Sequence, residues 1–312
     1  MFFIQTLPNL DMNLYLPGNN IRQALSNPLI YKEMDPEKRF YPSLNDSLWL
    51  MARWMVISIL FSIPGGIIMG ILRNGFGMDP SMVISVFILV VYTLPLVIIV
   101  RLGVRRIRLR GLQGYRLGFH GLPWITFSLI LLVGLSAILL LDPIETMIPV
   151  TEDFIETYTY MIRPDIFSFL SIVIAAPVLE EILFRGVILE GFLHNYRPRK
   201  AILLSALIFG GIHLNLVQIP GAFLVGIFLG WVYWKTRTLL PVMAIHFANN
   251  LISYLLYLRE GEMLLQDSLA EKTAGYWMAI GAAGVIGTAG FLQLKKRLVR
   301  HPARPVSKAS GP

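Results

Sequence analysis

Apolar residues in this sequence do not alternate with polar ones at a strand period. They run together in long blocks, and the polar residues collect between the blocks. Crossing a bilayer takes an α-helix of roughly 17 to 25 mostly apolar residues. Reading for such runs predicts eight spans, at 48–72, 82–100, 122–141, 166–192, 201–214, 217–234, 240–258 and 275–294. The fifth block is short and the sixth begins almost where it ends, so the boundary between them is the least sharply drawn. The predicted fold is all-α, a polytopic bundle of about eight transmembrane helices.

Composition strengthens that reading. Of the 312 residues, 55% are hydrophobic and 15% charged, against about 25% charged in soluble domains, and mean hydropathy is +0.63. Cysteine is absent, which excludes disulfides, thiol catalysis, iron–sulfur ligation and lipidation through a C-terminal cysteine. The opening Met-Phe-Phe-Ile-Gln-Thr-Leu-Pro lacks a basic segment followed by a long apolar one, so no cleaved signal peptide is expected.

Charge supplies the orientation. Lys and Arg concentrate in cytoplasmic loops of membrane proteins. With both termini inside, alternate segments hold 22 of the 27 basic residues. The opposite side has Arg73, Arg163, Arg259 and Lys272, and Arg185 falls within a span. Acids lean the other way, with Asp142, Glu145, Glu152, Asp153, Glu156 and Asp165 in one outer loop and Glu260, Glu262, Asp267 and Glu271 in another. Both termini are therefore predicted to be cytoplasmic. The net charge of +8 then reads as topology signal and attraction to anionic lipid, with no nucleic-acid partner. The chain divides into a polar cytoplasmic extension at 1–46, N-terminal transmembrane helices at 47–165 and a core at 166–258. An outer loop with the last span follows at 259–294, and a basic cytoplasmic tail at 295–312. Gly281, Gly284, Gly287 and Gly290 on the last span form a small-residue stripe suited to close helix packing.

Glu180, Glu181 and Arg185 lie inside the fourth span. Ionisable side chains at bilayer depth cost a few kcal/mol each, so three on one helix point to a site; the competing explanation is helix-packing glue. At about 100° per residue, Glu181 and Arg185 share a face while Glu180 points away. The expected arrangement is a Glu181–Arg185 ion pair and a Glu180 free to face a cavity. Burial without a cation favours the protonated form of a carboxyl, which suits acid–base work near neutral pH. Two histidines also fall inside apolar runs, each with an i,i+4 partner: Phe209 with His213, and His246 with Asn250. Bundle sites form where such residues converge from separate helices. Glu190 and His194 are also four apart but sit at the cytoplasmic end of their span, where an interfacial pair is expected.

The pattern Glu180-Glu181-x-x-x-Arg185, then Phe209-x-x-x-His213, then His246-x-x-x-Asn250 resembles the three motifs of the CAAX-processing and bacteriocin-processing membrane proteases, the Rce1-like or type II CAAX prenyl endopeptidases. The likeness covers roughly 166–258 and includes the run Gly226-Ile-Phe-Leu-Gly230-Trp-Val-Tyr. It implies a glutamate-type, membrane-embedded endopeptidase in which Glu180 and His213 activate a water, and His246 and Asn250 donate hydrogen bonds to the oxyanion. Glu181, Arg185 and Phe209 would support the site. It implies a membrane-associated peptide or protein substrate, prenylated or not, and a multi-pass protein of a bacterial plasma membrane ahead of the endoplasmic reticulum. No cofactor is expected; Zn2+ held by Glu and His is the alternative, although no His-Glu-x-x-His pair is present. A non-catalytic role in bacteriocin self-immunity or scaffolding is the alternative function, and a proton-relay transporter a third. In this topology Glu180 and His246 lie toward the inner side and His213 near the outer end of its span; either that helix is tilted or begins deeper than drawn, or the motifs converge near mid-membrane.

Overall fold

A computed structural model describes residues 40–110, 114–145, 147–260 and 274–300. Most of the predicted cytoplasmic extension, the outer loop 261–273 and the tail beyond residue 300 lie outside the described residues. Nine helices are present among the described residues, and no strand. They are α1 (Leu44–Phe76), α2 (Pro80–Leu109), α3 (Trp124–Glu145), α4 (Glu152–Met161) and α5 (Ile166–Asn195). Then come α6 (Pro198–Gly211), α7 (Gln218–Thr236), α8 (Leu240–Glu260) and α9 (Ala274–Arg300).

Each of the eight apolar blocks is a helix, but only six (α1, α2, α3, α5, α7 and α9) are long and apolar enough to cross a membrane. The two exceptions have different causes. With 14 residues, α6 reaches about 21 Å, short of the roughly 30 Å of hydrocarbon. Helix α8 has the length, but His246, Asn249, Asn250 and Arg259 dilute its apolar face. The ninth helix, α4, is ten residues long and amphipathic, too short and too polar to register as a span. Thr151 caps it by accepting from the Phe154 N–H.

Helix α5 is the axis of the bundle. Every residue from 183 to 192 is buried, as expected of a helix covered on all sides. Two stretches of α5, Leu170–Ala175 and Ile182–Leu189, are wound as π-helix, flanking the α-helical Ala176–Glu181. Such widened turns re-aim side chains and are common at functional sites. Close approach to α5 depends on small residues: a Cβ on Gly103 of α2 would lie 2.8 Å from Val187. Half of the glycine stripe on α9 makes the expected close approach, Gly287 against Ser136 and Gly290 against Val133 of α3, whereas Gly284 would make only ordinary contact with Leu140 and Gly281 faces open space. Helix α1 differs from the rest. Its buried residues, Ser47, Leu50 and Met51, lie at its N-terminal end, and the remainder leans on α2 with a broad apolar surface outward.

Candidate active site

The short helix α6 carries His213 just past its C-terminal end. It ends at Gly211, and a turn of six residues leads directly into α7. Irregular backbone inside a membrane protein persists only where its polar groups are satisfied or it lines a cavity, and here both conditions hold. The Asn215 amide donates to His213 O at 3.1 Å and to Gln218 Oε1 at 2.6 Å, while Asn215 Oδ1 accepts from the Gln218 N–H at 2.8 Å. Leu214 takes a left-handed backbone, φ 54°, which is unusual for a branched residue. His213 is thereby presented from a helix end to the cavity that it lines.

Phe209 ties the three motifs together. Its ring meets His213 edge-on at 5.5 Å and His246 edge-on at 5.8 Å, and the Arg185 guanidinium lies 4.4 Å from its centroid. The last is a cation–π contact. Gly226 of α7 allows this approach, since a Cβ there would sit 3.2 Å from Phe209.

The two glutamates separate as the helix geometry predicts. Glu181 is fully buried, and its Oε1 accepts from Arg185 Nη1 at 2.8 Å. The same oxygen receives His246 Nδ1 at 2.9 Å, a contact that i,i+4 reasoning along one helix does not reveal. Glu180 makes no contact with Arg185 within ion-pair distance. Its Oε1 accepts the hydroxyl hydrogen of Tyr92 from α2, and its Oε2 lies 4.0 Å from His246 Nε2.

Hydrogen-bond roles fix the ring nitrogens. A carbonyl only accepts, so His213 Nδ1, 3.1 Å from Phe209 O, carries a hydrogen and leaves Nε2 the basic nitrogen of the neutral ring. His246 Nδ1 likewise donates to Glu181. Asn250 Nδ2 donates to Ile172 O at 2.9 Å, in the first π-helical stretch, and retains a second N–H. Glu180, His213, His246, Asn249 and Asn250 all line one cavity of about 620 Å³, together with Tyr92, Trp54 and one face of α4.

Glu190 has more partners than the expected His194 and is more deeply buried than an interfacial pair would be. It is 1% exposed and pairs with Arg237 Nη1 at 2.7 Å and the Tyr233 hydroxyl at 2.9 Å. His194 Nδ1 bonds to the Glu190 backbone carbonyl at 2.8 Å and lies 3.8 Å from Glu190 Oε1, the expected i,i+4 pair. Arg237, at φ 56° just past the end of α7, folds back onto α5 from a loop where sequence pattern registers only a cytoplasmic charge. Tyr92 and Asn215 are site residues that sequence reasoning missed. The signal for Tyr92 was a hydroxyl in the middle of an apolar block.

Among the described residues no three His, Cys, Asp or Glu side chains gather to hold a metal ion.

Residues 162–252 match the family model described as type II CAAX prenyl endopeptidase Rce1-like. Searches of curated proteins and of solved structures return no match. The matched segment contains all three motifs, so the chain carries an Rce1-like domain, a domain of the CAAX-type intramembrane protease kind, and six of its helices among the described residues are long and apolar enough to cross a membrane.

Proposed function

We propose that the protein is a membrane-embedded endopeptidase that hydrolyses a peptide bond of a membrane-associated substrate with water activated by Glu180 and His213. The observation that carries this reading is the convergence of a carboxylate without an arginine, a basic imidazole nitrogen and an amide with a spare N–H on one cavity. Water placed beside Glu180 gives up a proton to the carboxylate as its oxygen attacks the scissile carbonyl carbon. The second N–H of Asn250 and, in its imidazolium form, His246 Nε2–H donate to the oxyanion that develops, the contribution that is usually the largest. The carbon–nitrogen bond then breaks, and the departing amine takes the proton held by Glu180. In this reading Glu181 has two duties: it is the counter-charge for Arg185 and the group that holds His246 in its tautomer, as the buried carboxylate does in a catalytic triad.

Side chains supply the whole reaction, so activity is expected to survive a chelator. The cavity lies among helices that face lipid, which suits a prenylated or otherwise membrane-anchored peptide; a bacterial plasma membrane is the setting we favour. The test uses Glu180→Gln, which keeps shape and removes the charge. Membranes bearing the wild-type and variant proteins are compared by mass spectrometry for peptides cut only by the former, and peptides trapped on the purified variant identify the substrate. Cleavage is expected to fall by about three orders of magnitude. Wild-type cleavage in the Gln variant would refute the peptidase reading.

A further inference from the structure

Glu180 lies inside the matched segment, but the group that holds one of its oxygens comes from outside it. Tyr92 of α2 donates its hydroxyl hydrogen to Glu180 Oε1, and both side chains line the cavity. Oε2 is buried and receives no hydrogen bond from the described residues. A carboxylate's terminal torsion is broad and two-fold, so a free glutamate exchanges which oxygen faces the substrate. A phenol fixed on Oε1 removes that exchange. Tyr92 is in turn held by α1: Trp54 meets its ring edge-on, with centroids 6.2 Å apart and planes at 68°. Trp54 lies one turn beyond the buried Leu50 and Met51, on the one stretch of α1 that reaches the interior.

We propose that Tyr92 is a positioning residue for the hydrolysis, holding Glu180 through Oε1 so that Oε2 takes the proton from the attacking water, and that Trp54 holds Tyr92. The inference rests on the reading of Glu180 as the residue that activates water. The proton passes from water to Oε2 and from Oε2 to the departing amine, while Tyr92 keeps its own hydrogen throughout. The site is then not contained in residues 162–252. Helices α1 and α2, which the family match does not cover, complete it.

The test uses the full-length protein in lipid nanodiscs and a peptide recovered from the Glu180→Gln trap. Tyr92→Phe keeps the ring and its contact with Trp54 and removes the hydroxyl. It is expected to lower kcat about 10- to 100-fold, as misplacement of a reacting group does, with KM changed by less than about twofold and the thermal midpoint retained. A kcat within about twofold of wild type would overturn the proposal. A second measurement needs no substrate. The infrared carboxyl band missing from Glu180→Gln reports Glu180, and it is expected to shift in Tyr92→Phe as the hydrogen bond is lost. A band that stays in place overturns the proposal whatever the kinetics. If wild-type protein cuts no peptide while the band shifts, the peptidase reading fails and the contact stands without a catalytic role, which also overturns the proposal.

Discussion

Helix α5 carries two buried carboxylate clusters about three turns apart, built from the same kinds of residue and put to different uses. Glu180 and Glu181 meet Arg185, Tyr92 and His246. Glu190 meets Arg237 and Tyr233, with His194 on its backbone. Each cluster leaves at least one carboxylate oxygen without a hydrogen bond, Glu190 Oε1 included, so neither burial, an arginine partner nor an orphan oxygen tells them apart. What differs is the surroundings. The first cluster borders a cavity shared by a second histidine and three asparagines. Around the second, Pro42 sits against Gly191, and Tyr115 donates its hydroxyl hydrogen to Gly186 O. A buried charge pair in a membrane helix is thus as well suited to joining elements as to chemistry, and the cavity decides which.

The comparison breaks most sharply under paired substitutions. Glu180→Gln is expected to lose about three orders of magnitude of activity and keep its thermal midpoint. Glu190→Gln is expected to do the reverse, losing about 3 kcal/mol of stability by leaving Arg237 without its counter-charge. Its turnover per folded molecule should stay within about threefold of wild type. Thermal unfolding in detergent alongside kcat on the trapped peptide measures both. If Glu190→Gln silenced turnover in molecules that remain folded, the second cluster would belong to the active site and the distinction would collapse.

Glu181 stands between the two kinds. It is an ion-pair partner like Glu190, yet it also holds a cavity histidine. Glu181→Gln is accordingly expected to show both losses in smaller measure: about 2 kcal/mol of stability, because Gln still accepts from Arg185, and about tenfold in kcat through a less firmly held His246. A stability loss with kcat unchanged would return Glu181 to a purely structural part.

What the sequence displayed and what it hid follow from the range of each interaction. Block hydropathy located every long helix, because spanning is a property of contiguous residues. The Glu181–Arg185 pair was legible for the same reason: i,i+4 geometry is local, and it holds even though π-helical winding begins at Ile182. The motifs named Glu180, His213, His246 and Asn250, and the fold brings all four to one cavity. Four features were out of reach. That α6 stops short to deliver His213 depends on a loop whose polar groups are satisfied by Asn215 and Gln218. The bond from His246 to Glu181 joins residues 65 apart, and the bond from Tyr92 to Glu180 joins residues 88 apart. Arg237 counted as a topology charge until the backbone past α7 turned it inward.

The smallest expected effect concerns how dry the second cluster is. Tyr115 lies between α2 and α3, and burial, reinforced by Glu190, raises its phenol well above the ordinary value of 10.0, with Arg237 and Arg108 opposing in part. A group that holds its proton more tightly when folded adds stability that is fully present below its unfolded value and is lost as pH rises above it. The thermal midpoint should therefore be insensitive to Tyr115 up to about pH 9.5 and decline beyond pH 10, because unfolding then releases a proton that the native state retains. Tyr115→Phe should start from a lower midpoint, having lost the bond to Gly186 O, and decline less steeply. It should not become flat, since burial also raises Tyr41. An alkaline decline equally steep in Tyr115→Phe would mean that water reaches this phenol in the folded protein. The second cluster would then be open like the first, and the enclosure that separates the two would have to be given up.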